Sequence, residues 1–414
     1  MWYYQTEWRY VTLLAVTIQC VDDLPDDCDA LVSELLVRYP VKPAEHWITQ
    51  FLHSSERVKE WHRHSSIPRV THFNLDHSAC VETENIQCPA IDTLGDLADW
   101  LEVSVSQLDW LANTWRVDST ASEQLRHYTY QTLKKRSAGI RLIEKPKASL
   151  KRVQRKINSE ILSSVAIHPA AHGFTQNRGC ISHAKKHVGK KALLLYDIAD
   201  CFHSISFKMV KPVFQRLGYT DTVCTYLTAL CTHSVVLAPV LRSQLDASQR
   251  DLLRVRHLPQ GAPSSPALVN AVLYRLDLRL AGLAQRLQLD YSRYADDIVM
   301  SGDTPRDWRF LEPVIGGICL DEGVSLNHRK TRIRKPYQKQ RVTGIVVNTK
   351  VNVDRKYYDT LKAILTNCTR YGLDNQNRHG HPNFRAHLMG RIQYVKSLNH
   401  RRGVRLEKIY HNIE

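Results

Sequence analysis

Two adjacent carboxylates, Asp296 and Asp297, end the run Tyr294-Ala295-Asp296-Asp297 within residues 291–302. Short stretches rich in Tyr, Ile and Val flank them, which predicts a hairpin with the acids at its tip. Adjacent aspartates repel each other, so a fold keeps such a pair near its core only where something neutralises it. A divalent cation is the usual neutraliser, since Mg²⁺ is held by one or two carboxylates together with substrate phosphates. A third acid, Asp197, ends the apolar run Leu193-Leu194-Leu195-Tyr196, and a buried Asp is costly unless it is paired or metal-bound. Alone, Asp197 could simply cap the turn that follows it. Joined to Asp296 and Asp297, it makes three carboxylates able to gather two Mg²⁺ ions. Two ions about 3.5–4 Å apart activate an attacking hydroxyl and stabilise a leaving phosphate, so the chemistry to expect is phosphoryl transfer.

Two further segments have residue types suited to phosphate chemistry. Leu258 to Ala267 contains Gly261 and three prolines, which fix an irregular loop, and Ser265 and Pro266 suit the N-cap and first position of a helix. Lys134-Lys135-Arg136-Ser137-Ala138-Gly139-Ile140-Arg141 reads as a basic hairpin. Arg binds phosphate in bidentate fashion there, and Gly139 permits a tight turn.

The elements that must position these groups alternate along the chain. Leucines and other apolar residues at three- and four-residue steps predict a helix over 91–116. Residues 125–152 are basic and strand-like, and 153–162 read as an amphipathic helix. Ala192 to Ile198 predicts a buried strand. Helices are expected over 207–217 and 267–287, β-structure over 341–353, and basic helices over 355–414. Strands with acids at their ends, interleaved with helices, describe an α+β fold.

Charge divides the chain more sharply than pattern does. The 414 residues have a net charge of +16, but residues 1–90 hold 7 basic and 13 acidic side chains, so the basic excess lies wholly beyond them. A basic body of that size implies a polyanionic partner, most simply nucleic acid. The ten cysteines form no Cys-x-x-Cys pair, and Cys80 and Cys88, near His72 and His77, match no common zinc spacing. Scattered reduced thiols point to the cytoplasm. The stretch from Tyr10 to Cys20 lacks the pattern of a signal peptide, and no run approaches the ~20 apolar residues of a membrane span, so no membrane partner is expected.

Four ordered motifs resemble the palm of reverse transcriptases. Asp197-Ile198-Ala199-Asp200-Cys201-Phe202 is similar to the first, Leu258 to Ala267 to the second, and Tyr294-Ala295-Asp296-Asp297 to the third. Leu326-Asn327-His328-Arg329-Lys330-Thr331-Arg332 resembles the motif that follows. The resemblance implies a right-hand polymerase with fingers, palm and helical thumb, preceded by a helical N-terminal region. Asp197, Asp296 and Asp297 would be the catalytic metal ligands for two Mg²⁺ ions, with Mn²⁺ as a substitute. Phe202 would be the steric gate that favours dNTPs over NTPs. Gln260 would contact the incoming nucleotide, Lys330 would lie near the leaving pyrophosphate, and Arg141 with Lys134 or Lys135 would clamp the triphosphate.

The finer resemblance is to retron reverse transcriptases. Val342-Thr343-Gly344 is similar to that family's signature before the thumb, while His183-Ala184-Lys185-Lys186-His187 departs from its Asn-Ala-x-x-His at the first residue. Ser264 stands where Thr is usual and His203 where a second aromatic is common. Residues 168–174 followed by Arg178, and 384–391 with Arg385 and Arg391, also look like the family. The implied RNA contacts are Arg178, His187, Val342, Thr343, Gly344, Arg385 and Arg391, although satisfied structural histidines are the simpler account of His172 and His187. The implied domains are a helical extension over 91–124, fingers and palm over 125–340, and an RNA-binding thumb over 341–414. Residues 1–90 lie outside the resemblance, as an accessory segment or an over-extended start. The implied partners are a cognate noncoding RNA and its DNA product, dNTPs, host RNase H and a defence effector. The product would be single-stranded DNA primed from an RNA 2′-hydroxyl, as a branched hybrid used in phage defence. The alternatives are a group II intron-like or diversity-generating enzyme, or a non-catalytic RNA-binding scaffold.

Overall fold

The structure is a computed structural model that describes residue 13 and residues 21–22, 28–39, 45–63, 69–70, 88–114, 122–134, 139–237, 239–304 and 307–413. It divides into two compact units, residues 1–84 and 85–414. In the first, β1 (Val21–Asp22), α1 (Cys28–Arg38), α2 (Glu45–Ser54), α3 (Glu56–Arg63) and β2 (Arg69–Val70) follow in order, with β1 and β2 antiparallel. Leu31, Leu35, Ile48 and Phe51 form its small core.

The second unit opens with α4 (Leu94–Leu101) and α5 (Val105–Ala112), where the periodicity predicts one helix. The break is local chemistry. Glu102 takes a left-handed φ of +59°, and Ser104 and Gln107 exchange a reciprocal capping box that starts α5 afresh. A hairpin follows, β3 (Tyr128–Lys134) against β4 (Ile140–Pro146), in register from Tyr128↔Pro146 to Lys134↔Ile140. Helix α6 (Ala148–Glu160) begins five residues before the expected 153, because Leu150 already lies on the buried stripe it shares with Val153 and Ile157.

Then come α7 (Cys180–Lys185), β5 (Ala192–Asp197), α8 (Cys201–Ser204), α9 (Phe207–Gln215), α10 (Asp221–Cys231), α11 (Pro239–Gln244) and α12 (Ala247–Arg254). The stretch expected as one helix over 267–287 is two, α13 (Ser265–Val272) and α14 (Tyr274–Arg286). Ser264 rather than Ser265 is the N-cap residue of α13, and the Ser265 hydroxyl instead donates to the Pro259 carbonyl at 2.8 Å. The remaining elements are β6 (Asp290–Tyr294), β7 (Asp297–Gly302), α15 (Leu311–Asp321), β8 (Arg332–Arg334), β9 (Arg341–Val342), β10 (Ile345–Val346), α16 (Arg355–Tyr371), α17 (Leu373–Gln376), α18 (Phe384–Leu398) and α19 (His400–His411).

The central sheet has the order β6-β7-β5-β8, antiparallel throughout. Side chains alternate across its faces. Leu194, Tyr196, Ile298 and Met300 join the large helical core, while Leu193 and Val299 join a second core with Val342, Ile345, Leu361, Leu388 and Leu406. Both faces are covered, which is why β5 and β7 read as continuous apolar runs instead of alternating ones. Among these apolar strands lies one fully enclosed cation. Arg293 of β6 donates from Nε and Nη2 to the two carboxylate oxygens of Asp277 on α14, at 2.8 and 2.6 Å. Tyr291 adds its hydroxyl to the same carboxylate at 2.6 Å, and both charged side chains are 0 % exposed.

Arg293→Met would leave the Asp277 carboxylate buried without its cation, and should cost about 3–5 kcal/mol of unfolding free energy. Adding Asp277→Leu removes the orphaned charge and should restore at least half of that. Denaturant titration of both variants measures it; equal losses in the single and the double variant would place the stability elsewhere.

Candidate active site

Asp197 and Asp297 sit directly opposite each other at the ends of β5 and β7. Asp296 occupies the turn between β6 and β7, and its carbonyl accepts the Ile198 N–H at 2.9 Å, which binds the tip of the hairpin to the end of β5. The turn is the two residues Ala295 and Asp296, closed by the Tyr294↔Asp297 pair, with Ala295 at φ +54°. A non-glycine residue in that region is strained and must be held by its surroundings. Arg293 Nη1 donates to the Ala295 carbonyl at 2.9 Å, so the buried ion pair also pins the turn. From the other side, Gly173 packs so closely that a Cβ there would lie 2.5 Å from the Ala295 nitrogen. The Gly173 carbonyl is itself held by the Asn270 amide at 2.8 Å, and the Arg293 and His172 N–H groups bond the Ala170 and Arg293 carbonyls.

The electrostatics follow from this crowding. Burial, and then the charges of Asp296 and Asp197, push the Asp297 carboxyl up to about 6. Asp197 is also raised, by burial above all, although the hydrogen bond from Lys330 opposes the shift. Lys330 places Nζ at 2.8 and 3.0 Å from the two oxygens of Asp197. The three acids offer only oxygen donors and a concentration of negative charge, the donor set a hard divalent ion requires, so they fit Mg²⁺.

A cavity of about 320 Å³ opens on this site, lined by Asp197, Asp297 and Lys330 together with Arg332, Arg341, Thr343 and Gly344. Thr343 and Gly344, at φ +46° and +83°, make the turn from β9 to β10. The Val-Thr-Gly signature is therefore a wall of the carboxylate cavity, except that the Val342 side chain is fully buried in the core beneath. Phe202 is half-buried on α8, edge-on to Phe174 at 6.3 Å, and Phe174 in turn lies 6.5 Å from the Tyr294 ring. Phe174 is 47 % exposed, so an open aromatic surface adjoins the acids. Gln260 is joined to the β3–β4 hairpin by its carbonyl, which accepts the Glu144 N–H at 3.0 Å. Lys134 and Arg141 are exposed at the tip of that hairpin, and Lys135 lies outside the described residues.

Three expected RNA contacts are corrected or qualified. His187 is enclosed and bridges Ser301 and Ser292 at 2.7 and 2.6 Å, so no face of its ring reaches a ligand. Val342 offers no side chain for the same reason of burial. Arg178 is exposed, but its guanidinium spans the carbonyls of His168, Pro169 and Ala171 at 3.0–3.2 Å and thereby shapes the loop carrying Gly173. His183 is fully buried under Tyr294, their rings 5.8 Å apart. Burial lowers His172 to about 4, His183 to about 3 and His187 to about 2, so these rings are neutral near pH 7. On α18, Arg391 lies 5.0 Å over the Tyr357 ring and Arg385 donates to the Ile413 carbonyl at 3.0 Å.

Residues 133–347 match the family described as Reverse transcriptase (RNA-dependent DNA polymerase). The retron Mx65 reverse transcriptase of Myxococcus xanthus is 37% identical over 69% of this chain and 65% of its own length. The retron Ec86 reverse transcriptase of Escherichia coli is 30% identical over 67% of this chain and 79% of its own. The chain belongs to the retron-type reverse transcriptases. The retron Mx162 reverse transcriptase of Myxococcus xanthus is 34% identical, and this chain spans 54% of it, so the match covers less than two thirds of either Myxococcus protein. Within this reverse transcriptase fold, sequence motifs located Asp197, Asp296, Asp297, Phe202 and the turn before the C-terminal helices. They did not give the Asp277 partner of Arg293, or Asn270, whose contacts join distant segments. The one available signal was an Arg inside a buried β-strand.

Two substitutions test this geometry. Gly173→Ala should lower the melting temperature by several degrees, since the turn backbone must shift to admit the methyl. Asp297→Asn should raise it in metal-free buffer at about pH 7.5. A folded pKa of about 6 against the ordinary 3.8 means that ionised Asp297 opposes folding above pH ~6. That penalty fades as pH falls from 6 towards 4, so the advantage of Asn should vanish near pH 4. An Asn variant no more stable than wild type at neutral pH would remove the proposed repulsion.

Proposed function

We propose that the protein is an RNA-directed DNA polymerase that copies a structured noncoding RNA into single-stranded DNA. The observation that carries this reading is the convergence of Asp197, Asp296 and Asp297 on adjacent strand ends. Two Mg²⁺ ions held there would supply activation of the attacking hydroxyl and stabilisation of the leaving pyrophosphate. The remaining work belongs to the chain. Lys330, within 3.0 Å of both Asp197 oxygens, would neutralise the departing pyrophosphate. Phe202, backed by Phe174, would exclude a ribose 2′-hydroxyl. Gln260 would meet the incoming nucleotide, and Lys134 and Arg141 at the tip of the hairpin, together with Lys135, would hold its triphosphate.

In this reading residues 125–340 are fingers and palm, 341–414 the thumb, and 91–124 a helical N-terminal extension. RNA would follow the cavity wall at Thr343 and Gly344 and the basic surface of α18 at Arg385 and Arg391, with Arg178 ordering the loop between. Membership of the retron family supports the finer reading: priming from an RNA 2′-hydroxyl, a branched RNA–DNA product, removal of template by host RNase H, and service with an effector in phage defence in the cytoplasm. Among the described residues no helix is long and apolar enough to cross a membrane.

The test is to express the gene with its native flanking DNA, purify the protein and sequence the nucleic acid bound to it. Short DNA of one sequence, joined to RNA through a debranching-sensitive link and absent in Asp296→Asn, is the expected result. Extension of a primed RNA template without any branched product would keep the polymerase and discard the retron-type priming. Product unchanged in Asp296→Asn would overturn the catalytic assignment. In the same assay Phe202→Val should relax discrimination against ribonucleotides on the order of a hundredfold.

A further inference from the structure

Glu144 of β4, His203 of α8 and His257, three residues before Gln260, come from segments more than fifty residues apart in sequence. Each contributes one ligand-type atom, and these atoms all lie within 4.8 Å of one another. The side chains of Glu144 and His257 are 0 % exposed and that of His203 is 11 % exposed. Among the described residues, the partners of the Glu144 carboxylate are these two imidazoles and the Gln260 N–H at 3.4 Å.

The tautomers decide what belongs between them. His257 Nδ1 lies 2.7 Å from the Val255 carbonyl, which can only accept, so Nδ1 bears a hydrogen and Nε2 is the atom turned toward Glu144. That nitrogen stands 3.2 and 3.3 Å from the two carboxylate oxygens. His203 Nε2 is 3.2 Å from Oε1, yet it is buried without a hydrogen bond of acceptable geometry. With both Nε2 atoms deprotonated, as metal binding requires, three electron-pair donors lie together. A tetrahedral ion with bonds of about 2.0–2.1 Å has ligand atoms separated by about 3.3 Å, which the two His–Glu144 separations of 3.2–3.3 Å match. A backbone carbonyl orienting the far nitrogen of an imidazole is also how metal-bound histidines are held.

We propose that Glu144, His203 and His257 form a binding site for a borderline-soft divalent metal, Zn²⁺ being the best match. Two imidazoles and one carboxylate suit Zn²⁺, whereas Mg²⁺ prefers the all-oxygen set of the three aspartates. The site lies apart from those acids and ties the β3–β4 hairpin to both nucleotide-facing segments. Glu144 also bonds Gln260 through its backbone, a Cβ on Gly261 would lie 2.7 Å from the Glu144 carbonyl, and His203 directly follows Phe202. A metal here fixes the gate and the Gln260 loop against the fingers hairpin. The opposing account is a proton: His257 carried as an imidazolium against Glu144.

The experiment uses the full chain with Asp296→Asn and Asp297→Asn, so that the aspartate site contributes little. After dialysis against chelator and then metal-free buffer, the protein is titrated with Co²⁺ and separately with Zn²⁺. The expected outcome is one equivalent of Co²⁺ with visible d–d bands, displaced by Zn²⁺ and unaffected by millimolar Mg²⁺. Zn²⁺ should also raise the melting temperature by several degrees. His203→Phe, at a position where related enzymes commonly have an aromatic, and Glu144→Gln should each abolish the bands and the shift. Should Glu144→Gln fail to fold, His203→Phe decides alone. No saturable band, or a thermal shift identical in His203→Phe and its parent, would overturn the metal site and leave the ion pair.

Discussion

The fully buried pairing of Arg293 with Asp277 is the interaction on which the geometry of the three carboxylates depends. Three carboxylates must be held together against their own repulsion, on a two-residue turn whose first residue is in a left-handed conformation. Nothing in the turn itself favours that state. Arg293 supplies what is missing: two of its nitrogens anchor in Asp277 and a third holds the Ala295 carbonyl. The planar fork of Arg makes these contacts at once, where the point charge of Lys could not. The pair links α14 to the turn through charge, and it needs complete enclosure for its hydrogen bonds to be strong.

Enclosure in turn requires that the sheet be covered on both faces. The helical core covers one, and the second core, built from the β9–β10 turn and helices α16, α18 and α19, covers the other. The same packing that buries Val342 leaves Thr343 and Gly344 lining the cavity that Asp197 and Asp297 also line. A short signature therefore does two jobs by alternation: its first residue is core, and its next two line the site.

This division explains what could be read from residues alone. The acids, the apolar strands β5 and β7, and the two-strand β3–β4 unit are local patterns, and each lies where its pattern placed it. Helix boundaries at Ser104, Ala148 and Leu273 were less legible, because caps and the first buried leucine override a smooth periodicity. His187 shows the deeper limit. The family resemblance implied a ligand contact for it, while its residue type alone suited a structural histidine. It is enclosed between Ser292 and Ser301, residues more than a hundred positions away that no local pattern names. The Glu144, His203 and His257 cluster escaped motif reading for the same reason, since no spacing rule spans three separate elements.

Lys330 completes the electrostatic argument. Asp197 and Asp297 are both raised, so the site holds its charge against a gradient that burial sets. Part of that charge is balanced by an ammonium on a side chain that is 53 % exposed, in contrast to the fully enclosed guanidinium of Arg293. The enclosed cation fixes the backbone of the turn; the exposed one bonds Asp197 at the cavity. The two are not interchangeable, because one holds the turn in place and the other balances charge on a carboxylate. Enclosed charge in the core and exposed charge at the rim separate these tasks, and the Asp-Asp turn stands where the two meet.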